Sequence, residues 1–224
     1  AALINAQGER ELRRNVEQEL VTLLDVISGG IDTAYQQALA DIRFVAARPE
    51  IARATQLLVS EKRHRDALLQ SRGQAQVRAL IEPLLHEHVA SGFAIVSPDN
   101  IRLAAADDAD IGSRLELRSQ TVMLARAWAG ETLVMLPQVA ESPSAPHDAG
   151  PTLLAAAPIR DRAGVVVALL LLQLEPQQTL YRPLQLGRSG SSGEGYLFDR
   201  NGVMLSESRF TERLWESGRL PRGQ

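Results

Sequence analysis

Apolar residues recur at three-to-four spacing through roughly the first 90 positions. After Ser91-Gly92 they fall into short runs punctuated by turn residues, at Pro98-Asp99-Asn100 and again at Asp161-Arg162-Ala163-Gly164. A helical period that gives way to strands joined by tight turns predicts an α+β chain, helices first and an antiparallel sheet after them.

The first element is a long helix over about 9–47. Leu12, Val16, Leu20, Leu23, Ile27, Ile31, Ala34, Ala38, Ile42 and Val45 form one continuous stripe, and the span is on the order of 55 Å at roughly 1.5 Å per residue. Gly29-Gly30 interrupts the stripe at roughly 1 kcal/mol per glycine relative to alanine, which predicts a kink or weak point. Pro49 stands where a first-turn proline belongs and opens a second helix to about Val59. The Ser60 to Arg72 stretch is heavily charged, and Gly73 sets it apart from a third helix over 74–90. Strands follow at 93–97 and 101–106, forming a hairpin. A helix over 115–129 is closed by Gly130. A third strand is expected over 131–136, a long surface loop over 137–150 that holds Pro137, Pro143 and Pro146, and two further strands over 152–160 and 163–174.

Composition removes several classes of function. The 224 residues include no cysteine, so there is no disulfide scaffold, thiol nucleophile or cysteine-ligated metal site. Of 24 basic residues only Lys62 is a lysine, which leaves none for a phosphate loop. A net charge of −3 gives no overall attraction to nucleic acid. The arginines from Arg43 to Arg78 are interleaved with acids and alanines, the pattern of a solvated face. No window reads Gly-x-Ser-x-Gly, and no cofactor or catalytic motif is present. The longest apolar run, Val165 to Leu172, is far shorter than the roughly 20 residues a membrane span needs. With no initiator methionine either, the chain reads as a soluble piece of a longer protein.

A second strand-turn-strand pattern occurs at Gly195-Tyr-Leu-Phe-Asp199, Arg200-Asn201-Gly202 and Val203-Met-Leu-Ser206. It aligns with the first hairpin: both begin with glycine and an aromatic and turn at an Asp/Asn pair. The long N-terminal helix, the Gly92-Phe-Ala-Ile-Val-Ser-Pro-Asp-Asn100 hairpin, Ala155-Ala-Ala-Pro-Ile-Arg-Asp161 and Ser192-Gly-Glu-Gly-Tyr-Leu-Phe-Asp-Arg-Asn-Gly202 together resemble the double Cache sensor regions of bacterial membrane receptors such as sensor histidine kinases. The resemblance implies a spine helix over 1–47, a PAS-like membrane-distal module over 48–180 with a small-molecule pocket, and a small or truncated membrane-proximal PAS-like module over 181–224. It also implies a periplasmic location, with transmembrane helices outside this chain and a kinase or cyclase output beyond them.

A pocket of that kind is expected on the sheet under the helix 115–129 and the loop 137–150. Phe93, Arg102, Arg118, Arg126 and Trp128 are the candidate ligand-binding residues; Arg114 is the remaining arginine in the region. An arginine fork suits a small polar or anionic ligand because it donates two parallel charge-assisted bonds. Arg118 and Arg126, eight apart, share a helical face, although solvated surface arginines give the same pattern. Trp128, four residues from Leu124, reads first as a plug of helix on sheet and second as a stacking ring. Amino-acid-binding members of the family carry a Tyr/Arg/Trp/Tyr/Asp set; Arg126 and Trp128 match its Arg-x-Trp piece, and the tyrosines that follow are absent. Tyr196, Asp199 and Arg200 match the second module's motif, with Asp199 read as a turn-stabilising residue.

No metal site is expected. His86 and His88 point about 200° apart on a helix, and Asp107, Asp108 and Asp110 lack the spacing of a calcium loop. Gly187 to Gly193 reads as a connector between modules. Two functions follow: small-molecule sensing outside the cytoplasm with no catalysis in this chain, or, alternatively, a ligand-independent homodimerisation or partner-docking role for the stripe on the first helix.

Overall fold

The computed structural model describes residues 2–86, 90–116, 121–139, 151–176, 180–187, 193–198, 202, 204–206, 208 and 210–218. The chain clusters into two units, one made of 1–34 with 177–224 and the other of 35–176.

The second unit carries the sheet. Helix α1, Ala2–Ala46, enters it at Tyr35. Helices α2 (Pro49–Ser60), α3 (Arg65–Gln70) and α4 (Arg72–His86) follow. Strands β1 (Gly92–Val96) and β2 (Arg102–Ala105) precede helix α5 (Thr121–Trp128), and β3 (Leu133–Val139), β4 (Pro151–Arg160) and β5 (Val166–Leu174) complete the unit. The strands form one sheet in the order β2-β1-β5-β4-β3, every neighbouring pair antiparallel. The α+β class and helix-first order are those the sequence predicts.

Two turns set the register. Asn100 takes a left-handed φ of 61°, a conformation its short side chain tolerates, and its N–H donates to the Ser97 carbonyl at 2.8 Å. Between β4 and β5 the Asp161 carboxylate accepts from the N–H groups of Ala163 and Val165, each at 2.9 Å, and Gly164 supplies the positive φ of 84°.

Strand alternation then sorts the apolar residues onto two faces. Val96, Leu169, Leu171, Ala156, Leu133 and Met135 meet Leu124 and Ala127 of α5 in one buried cluster. Ile95, Leu170, Leu172, Ala155 and Ala157 alternate with them along the same strands and point to the other face. Helix α2, whose Ile51, Ala54 and Leu58 are buried, packs on β2, β4 and β5, and α4 packs on α2.

Several boundaries differ from the sequence reading. Helix α1 begins at Ala2, ahead of the expected start near residue 9. The charged stretch after Ser60 contains the extra helix α3, and Gly73 lies in the first turn of α4 instead of before it. The reason is close packing: a Cβ on Gly73 would sit 2.6 Å from the Ala54 carbonyl oxygen of α2, so the position needs glycine without needing a break. Leu115 lies outside any helix, its N–H donating to the Asn100 carbonyl at 2.7 Å, and the described helix α5 is Thr121–Trp128. Pro137 belongs to β3, while 140–150 of the expected loop lie outside the described residues.

In the first unit, Ile27 of α1 is buried against Gly187, and the half-buried Gly30 lies close to Pro183. The latter residues belong to a short helix α6, Arg182–Leu184, and the 3-10 turn Gln185–Gly187 that follows it. The second strand-turn-strand pattern is present as a bridge between Phe198 and Met204, with the Leu205 N–H donating to the Leu197 carbonyl at 2.7 Å. The Tyr181 hydroxyl donates to the Leu205 carbonyl at 2.8 Å. A last helix, α7, spans Thr211–Glu216. Among the described residues no helix is long and apolar enough to cross a membrane.

Candidate functional site

The β1-β2 hairpin and the segment after it build a concave surface beside α5. Ile101 bridges Arg114, and the Arg102 N–H donates to the Ser113 carbonyl at 2.9 Å, so 112–115 run back along the start of β2. That return carries Arg114, Leu115 and Glu116 to one wall of a groove. Pro98 and Asn100 of the hairpin turn, with Thr121, Leu124, Ala125 and Trp128 of α5, supply the rest of a volume of about 450 Å³. This is within the roughly 300–1,000 Å³ range of small-molecule pockets. Its lining combines a guanidinium, a carboxylate, a carboxamide and an indole, groups that together suit a small polar molecule with a charged end.

The candidates chosen from sequence do not converge here. Trp128 does line the groove, and it also packs against the α5 cluster. Phe93 is buried but alternates with Ala94, which packs against that cluster, and so points to the opposite face of the sheet. Arg102 is buried and turned along the return segment. Its Nη1 donates to Ser113 Oγ at 2.7 Å and to the Arg114 carbonyl at 3.2 Å. Burial pushes its pKa below the ordinary arginine value, and the nearby Asp110 carboxylate opposes that shift. Its role here is to hold the segment that presents Arg114.

Arg126 projects from α5 into solvent, where its Nε and Nη2 donate to Glu131 Oε2 at 2.9 and 2.6 Å. These bonds raise the arginine's pKa and hold Glu131 below the usual carboxylate range. Arg118, Asp199, Arg200 and His88 lie outside the described residues, and His86 is the last residue of α4. The Asp107 carboxylate accepts from the Ala109 N–H at 2.7 Å, and Asp108 pairs with Arg78. Among the described residues no three metal-ligating side chains come together.

Sequence reasoning named Arg114 only as an available arginine and did not single out Asn100 at all. The turn signal Pro98-Asp99-Asn100 marks where the hairpin reverses, but the bridge that brings Arg114 beside it spans 13 positions and has no local signature.

No protein-family model and no curated protein matches the sequence. Solved structures do match. The ligand-binding domain of a Pseudomonas fluorescens chemoreceptor in complex with L-leucine aligns with a TM-score of 0.59 at 13% identity, over 90% of this chain and 74% of that one. The chain carries the Cache-type sensor fold. The ligand-binding domain of a Campylobacter jejuni chemoreceptor in complex with L-valine aligns at 0.52 and 13%, over 95% of this chain and 78% of that one. The ligand-binding domain of a Pseudomonas aeruginosa amino-acid chemoreceptor in complex with GABA aligns at 0.52 and 15%, over 92% and 84%. All three Cache-fold neighbours are ligand-binding domains, and none is described as an enzyme.

Proposed function

We propose that this chain is the extracytoplasmic ligand-sensing domain of a bacterial transmembrane signalling protein, in its simplest form a sensor kinase. The sheet-bearing module receives the ligand, and this part of the protein performs no catalysis. The observation that carries the reading is the groove beside α5, where Arg114, Asn100 and Trp128 meet in a Cache-type fold. A small polar or anionic ligand would place its negative end on the Arg114 guanidinium, which can donate two parallel bonds, and its body against the Trp128 ring.

The test is a thermal-shift screen of amino acids, carboxylates and amines. A ligand at a hundred times its Kd adds about 2.7 kcal/mol of stability, a readily measured shift. Arg114→Ala is expected to weaken binding at least tenfold, and Arg126→Ala, which removes a cation already bonded to Glu131, to change it less than twofold. A panel that shifts nothing, or an Arg114→Ala protein that binds as the wild type does, refutes the assignment.

A second reading, homodimerisation through α1, is favoured by the N-terminal half of its stripe. From Ile27 onward the stripe is buried at Ile27, Ala38, Ile42 and Val45; before it, Leu12, Val16 and Leu20 are 66, 46 and 56% exposed, and Leu24, next to the stripe's Leu23, is 61% exposed. Such a row, three to four residues apart, is the seam a second copy of the helix would cover. Leu20→Asp combined with Leu24→Asp alters only exposed positions, so it is expected to convert a ligand-independent dimer into a folded monomer in light scattering. A wild-type chain that is monomeric at high micromolar concentration excludes this role. The two readings are compatible, since a dimer seam and the α5 groove use different residues.

A further inference from the structure

The two glycines of α1 stand in different surroundings. A Cβ on Gly30 would meet Pro183 Cβ at 3.1 Å and Cγ at 3.5 Å, so its absence is explained by packing. Gly29 is exposed and helical with no positive φ, and a Cβ there would meet nothing within 4 Å. Neither contact nor backbone geometry requires glycine at position 29.

A second observation falls on the same turn. The Thr33 hydroxyl donates to the Gly29 carbonyl at 2.8 Å, a back-bond four residues long that loosens and bends helices. Thr22 makes the same bond to Gln18, but with no glycine in that turn. Gly29 and Thr33 share the exposed side of α1, while Ile27 and Gly30 are tied down at Gly187 and Pro183. The helix is thus held on its packed side and weakened on its open side. One residue beyond Thr33, at Ala34, the chain leaves the first unit.

We infer that the Gly29–Thr33 turn is a built-in bending point of α1, pivoting on the Gly30–Pro183 contact and opening toward solvent. The long helix is therefore two stiff segments joined by one compliant turn.

Hydrogen exchange on the intact chain tests this independently of any ligand. The amides of Ile31, Asp32 and Thr33 are expected to exchange at least tenfold faster than those of Ala38 to Ile42. Gly29→Ala should slow them about fivefold, the factor that corresponds to roughly 1 kcal/mol of helix propensity. Gly30→Ala, which crowds Pro183, should lower the melting temperature without slowing them. Equal protection along 31–42 in the wild type overturns the inference. So does a Gly29→Ala protein that melts higher while exchange at 31–33 is unchanged, because the glycine would then be only a uniform cost to the helix.

Discussion

Gly73→Ala is expected to destabilise the protein by up to about 3 kcal/mol, although alanine is favoured over glycine by roughly 1 kcal/mol in an isolated helix. The added methyl would lie 2.6 Å from the Ala54 carbonyl oxygen, 3.0 Å from Leu58 Cγ and 3.2 Å from Leu57 Cβ. The first of these is backbone inside α2 and cannot rotate away, so α2 and α4 must separate. Since α2 covers the sheet face opposite the groove, the strain is carried by the layer that supports β2, β4 and β5. For a chain of this size the melting temperature should fall by roughly 2–4 °C per kcal/mol. Thermal unfolding showing Gly73→Ala at or above wild-type stability would mean that the two helices are not in this close contact.

Leu170→Ala is the second large effect, with an expected loss of about 4 kcal/mol. Leu170 is fully buried in β5, the middle strand of the sheet, opposite Ile95 of β1 on one side and Ala157 of β4 on the other. Deleting a leucine side chain at such a site removes its transfer free energy and leaves a cavity that flanking strands bonded on both sides cannot collapse to fill. Against a typical total of about 5–15 kcal/mol the variant would be marginal. Its urea midpoint should drop with little change in slope, whereas Val122→Ala, at an exposed position on α5, should stay within about 0.5 kcal/mol. A loss below about 1 kcal/mol for Leu170→Ala would show that the sheet core repacks far more freely than close packing allows.

The helix-first order, the two hairpins of the sheet and the α5 helix were all legible in the sequence, because hydrophobic period, a first-turn proline and Asx or glycine turns are local signals. The errors cluster where a distant contact decides. Gly73 reads as punctuation, yet it sits inside α4 because Ala54 lies against it. Residues 115 and 116 fit a helical period, yet the Asn100 carbonyl captures the Leu115 N–H and both residues lie outside any helix. Gly29-Gly30 reads as one weak point in a continuous helix, yet the two glycines differ, one packed on Pro183 and the other open.

The candidate site divides in the same way. Trp128 lines the groove and packs on the sheet, a placement that follows from the period of the local element α5. Phe93 lies on the face away from α5, a placement that period 2 leaves open because it says that neighbours alternate without saying which face α5 will cover. Arg102 and Arg126 have the right chemistry and occupied forks, one on Ser113 and the Arg114 carbonyl, the other on Glu131.

By itself, then, the sequence determined the classes of element, their order, the turn positions, and the exclusion of thiol, lysine and nucleic-acid chemistry, all properties of residue type and short-range spacing. Only the tertiary structure decided which arginine faces the groove, which face of the sheet α5 covers, and why one glycine of α1 is needed for packing and the other is not. Those depend on pairings such as Ile101 with Arg114 and Gly30 with Pro183, which bring together positions the linear order keeps apart and which no local propensity encodes.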